Sequence, residues 1–198
     1  MLIIILAAAA ALWIFGIAAA ALGSRIQHPA AIAANLLLMG IVFGLGRAMN
    51  VEPGRSSGNG NPAMLLLVPL VGLGVVLVGQ LYGQPLLRRA RPLLLLTLLL
   101  GLFAHQAAGF ELQKLRYEAR GMQVAAFFAA RREPGRMDQD AVTPTLDSMK
   151  INGHLFHPNT YLLFVGWVWI TAIALLLLRW TVQRRRLRQE GDDEGVDR

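Results

Sequence analysis

The feature that most constrains the fold of this chain is the grouping of its sequence into five long blocks without Asp, Glu, Lys or Arg. The blocks cover residues 1–24, 26–46, 56–87, 92–110 and 151–178. A helix needs ~20 mostly apolar residues to cross the ~30 Å hydrocarbon core of a membrane, and each block is close to or above that length. Backbone groups in lipid must be hydrogen-bonded within their own segment, which favours helices. The sequence therefore predicts an all-α, polytopic integral membrane helical bundle with five spans.

The composition agrees with a membrane protein and argues against nucleic-acid binding. Hydrophobic residues make up 55% of the chain and charged residues 16%, whereas a typical soluble domain is about 45–50% apolar and about 25% charged. The formal net charge is +7. Its main clusters lie directly beside apolar blocks, at Arg88, Arg89, Arg91, Arg184, Arg185, Arg186 and Arg188. Clusters so placed are typical topology determinants that contact anionic headgroups, so we expect a lipid bilayer and not nucleic acid as their partner.

The arginine clusters also predict the orientation of the spans. Arg184 to Arg188 follow the last block and are expected in the cytoplasm, so the last span runs inward. The Arg88–Arg91 cluster precedes the fourth span and is expected on the same side. The N-terminus and the Gly/Ser/Asn-rich loop 51–61 then lie outside and the C-terminus lies in the cytoplasm. The five spans are expected at about 2–22, 29–48, 62–81, 93–109 and 160–178.

The first block allows a second interpretation, a cleaved signal peptide, because residues 18–23 are mostly small. The missing basic start and the length of the apolar stretch argue against cleavage. If cleavage occurs, four spans remain and their orientation is unchanged.

The spans divide the chain into four regions. These are a four-span membrane region (1–109), an external amphipathic helix with an irregular loop (110–159), the fifth span (160–180), and a cytoplasmic tail that is first basic and then acidic (181–198). We expect the acidic end of the tail to have no regular structure.

The external region begins with a predicted helix over 110–132, which contains no proline. It either continues the fourth span or bends away from it at Gly109 and lies on the membrane surface. Lys114 and Glu118 are spaced as an i,i+4 ion pair. Apolar residues recur at spacings of three and four, at Leu112, Leu115, Ala119, Met122, Ala126 and Ala129. Such a stripe outside the bilayer needs a cover, and Leu112, Leu115 and Met122 are the candidate partner-binding residues.

Candidates for chemistry are few. His105, inside the fourth block, suits either a haem, quinone or proton-transfer role or a hydrogen bond between helices, and we favour the hydrogen bond. His154 and His157 suit either zinc or a polar turn, and we favour the turn because further ligands are missing. The chain has no cysteine and no GxSxG, HExxH or Walker A motif. We therefore predict no catalytic residue, cofactor, metal or small-molecule substrate.

Two further patterns concern packing. Gly40 and Gly44 have the spacing of a small-residue face that lets helices approach closely in lipid. Tyr161 and Trp180 lie at opposite ends of the last span, where aromatic side chains often occupy the headgroup layer.

These features lead to one functional expectation with two alternatives. The spans contain no Asp or Glu, and an apolar stripe lies outside them, which favours a non-catalytic subunit that anchors or organises a larger envelope complex together with other membrane subunits. Secretion, conjugation and envelope-assembly machines are of this kind. The Ala-, Leu-, Arg- and Gly-rich composition indicates a bacterial inner membrane. The alternatives are a small transporter or channel component and a membrane redox or enzyme subunit.

Overall fold

The computed structural model describes residues 29–49, 62–130 and 155–196. Within these ranges the regular backbone is helical throughout and contains no strand, as the all-α prediction requires. A short 3₁₀ turn covers Pro62–Leu66. The α-helices are α1 (Pro29–Ala48), α2 (Leu67–Gly83), the one-turn α3 (Pro85–Arg88), α4 (Pro92–Ala130) and α5 (Pro158–Val196).

Four helices in the described part of the chain are long and apolar enough to cross a membrane. They cover Pro29–Ala48, Ala63–Gly83, Pro92–Gln123 and Pro158–Arg186. Their starts agree within a residue or two with the second to fifth spans predicted from sequence, so the uncharged blocks located these helices correctly. The first predicted span, at 2–22, lies outside the described residues.

Prolines mark where the helical segments begin. Pro29, Pro62, Pro85, Pro92 and Pro158 each occupy the first position of a helical segment. The missing N–H of proline costs nothing there, because the first N–H groups of a helix have no partner within it, and the fixed φ angle suits the first turn. Gln84, just before Pro85, is extended with φ −61° and ψ 123°, which is the conformation that a following proline favours. These prolines therefore mark the N-terminal ends of the helical segments in the sequence.

The fourth predicted span continues as one helix beyond Gly109. Helix α4 has 39 residues, which at 1.5 Å per residue is about 58 Å, roughly twice the thickness of a hydrocarbon core. Of the two alternatives for the external helix, the structure has the continuous one. The helix is described as far as Ala130, and the predicted stop and the irregular loop after it fall largely on residues 131–154, outside the described residues.

Helix α5 also has 39 residues and reaches Val196. The prediction that the acidic tail has no regular structure is therefore wrong.

The described chain forms two compact units. The first unit includes the described residues 29–35, 74–103 and 167–196, and its apolar core is built around Leu95, Ile173 and Leu176. A buried hydrogen bond joins two of its helices, from Asn35 Nδ2 to Gln80 Oε1 at 3.1 Å. Such polar pairs hold helices together where apolar surface gives little drive for association.

The second unit comprises 36–73 and 104–166. Aromatic rings fill part of its core: the Phe43 ring lies 5.8 Å from that of Phe156 and 5.3 Å from that of Tyr161, both edge-on. Phe156 is also packed directly over Gly46, since a Cβ added to Gly46 would overlap its ring. A glycine at this point of α1 thus makes room for a buried aromatic side chain.

Close helix contact in this unit does not use the pair predicted for it. A Cβ added to Gly40 or Gly44 would meet no described atom within 4 Å. The glycines at the described close contacts are Gly46, Gly109 and Gly166, each next to a side chain of another segment. The small-residue spacing of Gly40 and Gly44 therefore does not identify the packing face of α1 within the described chain.

Candidate functional site

The candidate site is a row of polar contacts in the second unit, between α4 and the start of α5, which we call the polar seam. On α4 its members are Gln106, Gly109, Gln113 and Arg116. Their spacings of three and four residues place them on one side of the helix. Gln106 and Gln113 are buried, with 3% and 6% of their surfaces exposed. Buried amides need hydrogen-bond partners, and within the described chain Gln106 Nε2 has one while Gln106 Oε1 does not.

The partners come from the first turns of α5. Gln106 Nε2 donates to the Leu163 carbonyl oxygen at 3.0 Å. Asn159 Nδ2 donates to the Gly109 carbonyl oxygen at 3.0 Å and to Gln113 Oε1 at 3.1 Å. A Cβ on Gly109 would lie 2.5 Å from Leu163 Cδ2, so a larger residue at this position would require the Leu163 side chain to move. Gly109 is a contact point and not a bend.

His157 caps α5 and closes the end of the polar seam. Its Nδ1 accepts a hydrogen bond from the backbone N–H of Asn159 at 3.1 Å, and its own N–H donates to Thr160 Oγ1 at 2.9 Å. The ring thus bonds to the second residue of the helix and the backbone N–H to the third, an arrangement related to a capping box. Sequence reasoning missed it, although Pro158 at the first position and Thr160 at the third were available signals.

Arg116 reaches the same ring nitrogen. Its Nη1 contacts His157 Nδ1, and because arginine stays protonated in proteins it is the donor. A nitrogen that accepts from a backbone N–H and from an arginine carries no proton. The imidazole is therefore neutral, with its proton on Nε2, and it orients the guanidinium of Arg116.

A second arginine belongs to this end of the unit. Arg47 lies in the last turn of α1, and the pKa of Arg116 is lowered first by burial and second by the positive charge of Arg47. Arg47 is exposed and Arg116 is half-buried. The polar seam thus ends in two cations beside a neutral histidine.

The predicted partner-binding residues lie elsewhere on α4. Leu112, Leu115 and Met122 expose 48%, 62% and 69% of their surfaces. At 100° per residue, this group is turned roughly 120° around the helix axis from the polar seam. The polar side of the helix therefore faces its described neighbour, while the apolar stripe is left uncovered by the described chain.

The predicted topology determinants are exposed as far as they are described. Arg88, Arg89 and Arg91 lie on α3 and in the turn before α4, and Arg184, Arg185 and Arg186 lie on the last part of α5. The Arg184 guanidinium carbon lies 5.2 Å from the centre of the Trp180 ring, which is within cation–π range. The side chain of Arg188 lies outside what is described.

His105 and Tyr161 make contacts different from those expected. His105 is exposed, and the inter-helix hydrogen bond expected of it is made by its neighbour Gln106. The Tyr161 hydroxyl donates to the Leu36 carbonyl oxygen at 3.1 Å, so it is bonded inside the unit and does not reach for headgroups. His154 lies outside the described residues, and within them no group of three potential metal ligands occurs.

The ion pair of the external helix also differs from the expected one. Lys114 Nζ contacts Glu111 Oε1 at 2.6 Å, one turn before it, and not the predicted Glu118. Both side chains are about two-thirds exposed, at 67% and 68%, so the pair contributes little to stability.

These arrangements can hold helices together and present surfaces. The polar seam ties α4 to the start of α5 through neutral hydrogen bonds and offers two cations, while the other side of α4 offers an apolar stripe. Comparisons with protein families, curated proteins and solved structures give no match for this chain. Its function therefore has to be inferred from these surfaces.

Proposed function

We propose that this protein is a non-catalytic subunit of the bacterial inner membrane that anchors or organises a larger envelope complex. The N-terminus lies outside and the C-terminus lies in the cytoplasm. Secretion, conjugation and envelope-assembly machines are assemblies that need such a subunit. The observation that carries the proposal is the exposure of Leu112, Leu115 and Met122 on the part of α4 beyond Gly109.

A partner would gain by covering this stripe. Full burial of a Leu or Met side chain contributes about 1.5–3 kcal/mol, and scaled by the exposed fractions the three residues offer about 3–5 kcal/mol together. Association from free solution costs about 4–15 kcal/mol, so the stripe alone does not recruit a soluble protein. A partner already held in the same membrane has lost much of that freedom beforehand. The magnitudes therefore favour another membrane subunit.

The stripe is available because the polar seam fixes the rotation of α4. Gln106 and Gln113 are bonded to α5, and turning the apolar residues inward would break these bonds. The continuous helix then holds Leu115 and Met122 at a set angle outside the predicted span, as a docking surface requires.

The test is a double substitution of the stripe with a matched control. Leu115→Glu with Met122→Glu adds two charges to the stripe, whereas Gln123→Glu with Ala125→Glu adds two charges to exposed positions of the same helix outside it. Both proteins are extracted in mild detergent, and co-purifying subunits are identified by mass spectrometry. We expect the stripe variant to lose those subunits and the control to keep them, with both chains still inserted in the membrane.

Reconstitution of the purified protein alone into liposomes tests the proposal against the transporter and enzyme alternatives. Solute flux or substrate turnover by the isolated chain, unchanged by the two stripe substitutions, would mean that it is a transporter or an enzyme and not an organising subunit.

A further inference from the structure

Two arginines, Arg47 and Arg116, are brought to the same end of the second unit by the contacts of Phe156 and His157. The contact of Gly46 with the Phe156 ring brings the end of α1 to the start of α5. Arg47 follows Gly46 in the sequence and His157 follows Phe156, and Arg116 contacts the His157 ring. Arginine does not lose its proton in proteins, so the repulsion between Arg47 and Arg116 cannot be relieved by titration.

His157 does not neutralise the arginines. Its Nδ1 accepts from Asn159 and from Arg116, which makes the ring neutral and a positioning group for Arg116. The contact uses one of the five N–H donors of the guanidinium. The remaining donors form a planar fork that suits bidentate oxygen anions.

The carboxylates of the described part of this unit are engaged or directed elsewhere. Glu111 is paired with Lys114 at 2.6 Å. Glu118 follows Arg116 by two residues, which turns it by roughly 200° around α4. Residues 50–61 and 131–154 contain other acids, and a carboxylate from there is the competing explanation for the arginine pair.

The position of Arg47 and Arg116 near the ends of apolar helices favours a phosphate as their ligand. Helix α1 ends at Ala48 and α5 begins at Pro158, and both helices are apolar enough to span a membrane. The ends of spanning helices lie at the level of lipid headgroups, where phosphates are concentrated. Arginine is the side chain best suited to phosphate oxygens, because its fork matches their geometry.

We propose that Arg47 and Arg116 form a binding site for a phosphate group at this end of the second unit, with His157 orienting Arg116. The group is either the phosphate of an anionic lipid headgroup or that of a soluble phosphate compound. This site is independent of the proposed role of the Leu112, Leu115 and Met122 stripe.

The experiment uses the purified full chain in detergent. Phosphatidylglycerol or phosphatidylcholine is added and retained lipid is counted by native mass spectrometry, while inorganic phosphate is compared with chloride at equal ionic strength by thermal unfolding. Arg47→Gln and Arg116→Gln should each weaken binding by about tenfold, as expected for a charge-assisted hydrogen bond. Arg120→Gln, which removes the same charge one turn further along α4, should bind as the unmodified protein does. Arg47→Lys, which keeps the charge but loses the fork, should bind more weakly than the unmodified protein and more tightly than Arg47→Gln.

The results distinguish a lipid phosphate from a soluble phosphate compound, and both of these from a carboxylate of the chain. Preference for phosphatidylglycerol without an effect of inorganic phosphate identifies a lipid headgroup, and stabilisation by inorganic phosphate identifies a soluble compound. In the absence of either ligand, Arg47→Gln should be at least as stable as the unmodified protein, because it removes a repulsion. The proposal is overturned if neither ligand binds above its control, if both glutamine variants bind normally, or if ligand-free Arg47→Gln is clearly destabilised, which would mean that a carboxylate of the chain already neutralises the pair.

Discussion

Replacing Gly46 by alanine places a methyl group against the Phe156 ring. The new Cβ would lie 2.6 Å from Cδ2 and nearer still to two other ring atoms. Carbon atoms in contact are ordinarily ~3.5–4.0 Å apart, so the ring has to move by about 1 Å or more. Phe156 is only 1% exposed and packs edge-on against Phe43, which leaves it little room to move.

The magnitude follows from two opposing terms. Overpacking of a buried site costs about 1–3 kcal/mol. The change from glycine to alanine inside a helix returns about 0.5–1 kcal/mol. Gly44→Ala, two residues earlier on the same helix, has open space for its Cβ. It therefore gains the helix preference of alanine over glycine without the cost of overpacking. The difference between the two variants therefore isolates the steric cost, about 1–3 kcal/mol.

The assay is thermal unfolding in detergent, followed by tryptophan fluorescence. For a chain of this size each kcal/mol corresponds to a Tm change of about 2–4 °C, so Gly46→Ala should unfold about 2–12 °C below Gly44→Ala. Combining Gly46→Ala with Phe156→Leu should recover part of the loss, because the residues are in contact and their effects do not add. Equal Tm values for the two alanine variants would refute the packing of Phe156 over Gly46.

Two further predictions concern topology and the polar seam. Single cysteines at Ser57, Ser148 and Gln189, treated with a membrane-impermeant thiol reagent in intact cells, should be labelled at the first two positions only; protection at Ser148 with labelling at Gln189 would reverse the orientation. Gln106→Ala should lower the free energy of unfolding by at least about 0.5–1.5 kcal/mol, because the hydrogen bond to Leu163 is lost. His105→Ala, at the exposed position just before it, should change the free energy of unfolding by less than about 0.5 kcal/mol. Equal effects of these two substitutions in the same unfolding assay would contradict the inward orientation of Gln106.

The positions of the spanning helices could be predicted because length and charge are read directly from the chain. An uncharged block of about 20 residues has few other stable forms in lipid, and prolines such as Pro92 and Pro158 mark the starts. The side of each helix that packs could not be predicted as well. In α1 nearly every side chain is apolar, so no amphipathic pattern distinguishes Gly46, which meets Phe156, from Gly44, which does not.

The polar seam was missed for a related reason. The part of α4 beyond Gly109 has a clear apolar stripe, and in a soluble protein that stripe would face the core. Here Gln106, Gln113 and Arg116 face α5, because polar pairs contribute to helix contact in membranes where apolar surface does not. The spacing of these residues with Gly109 was a usable signal. The cap at His157 had local signals in Pro158 and Thr160, but the contact of Arg116 with its ring comes from another helix and is not revealed by local sequence patterns.

Because α4 is continuous through Gly109, a tilt of the helix at one point displaces its far end. Met122 lies sixteen residues beyond Gln106, about 24 Å along the axis, so a tilt of roughly 10° at Gln106 would displace Met122 by about 4 Å. Rotation is transmitted in the same way, since a helix without a break turns as one body. A partner that grips the apolar stripe therefore also exerts torque on the hydrogen bonds of Gln106 and Gln113. Events outside the predicted span and the packing of α4 against α5 are mechanically coupled by this one helix.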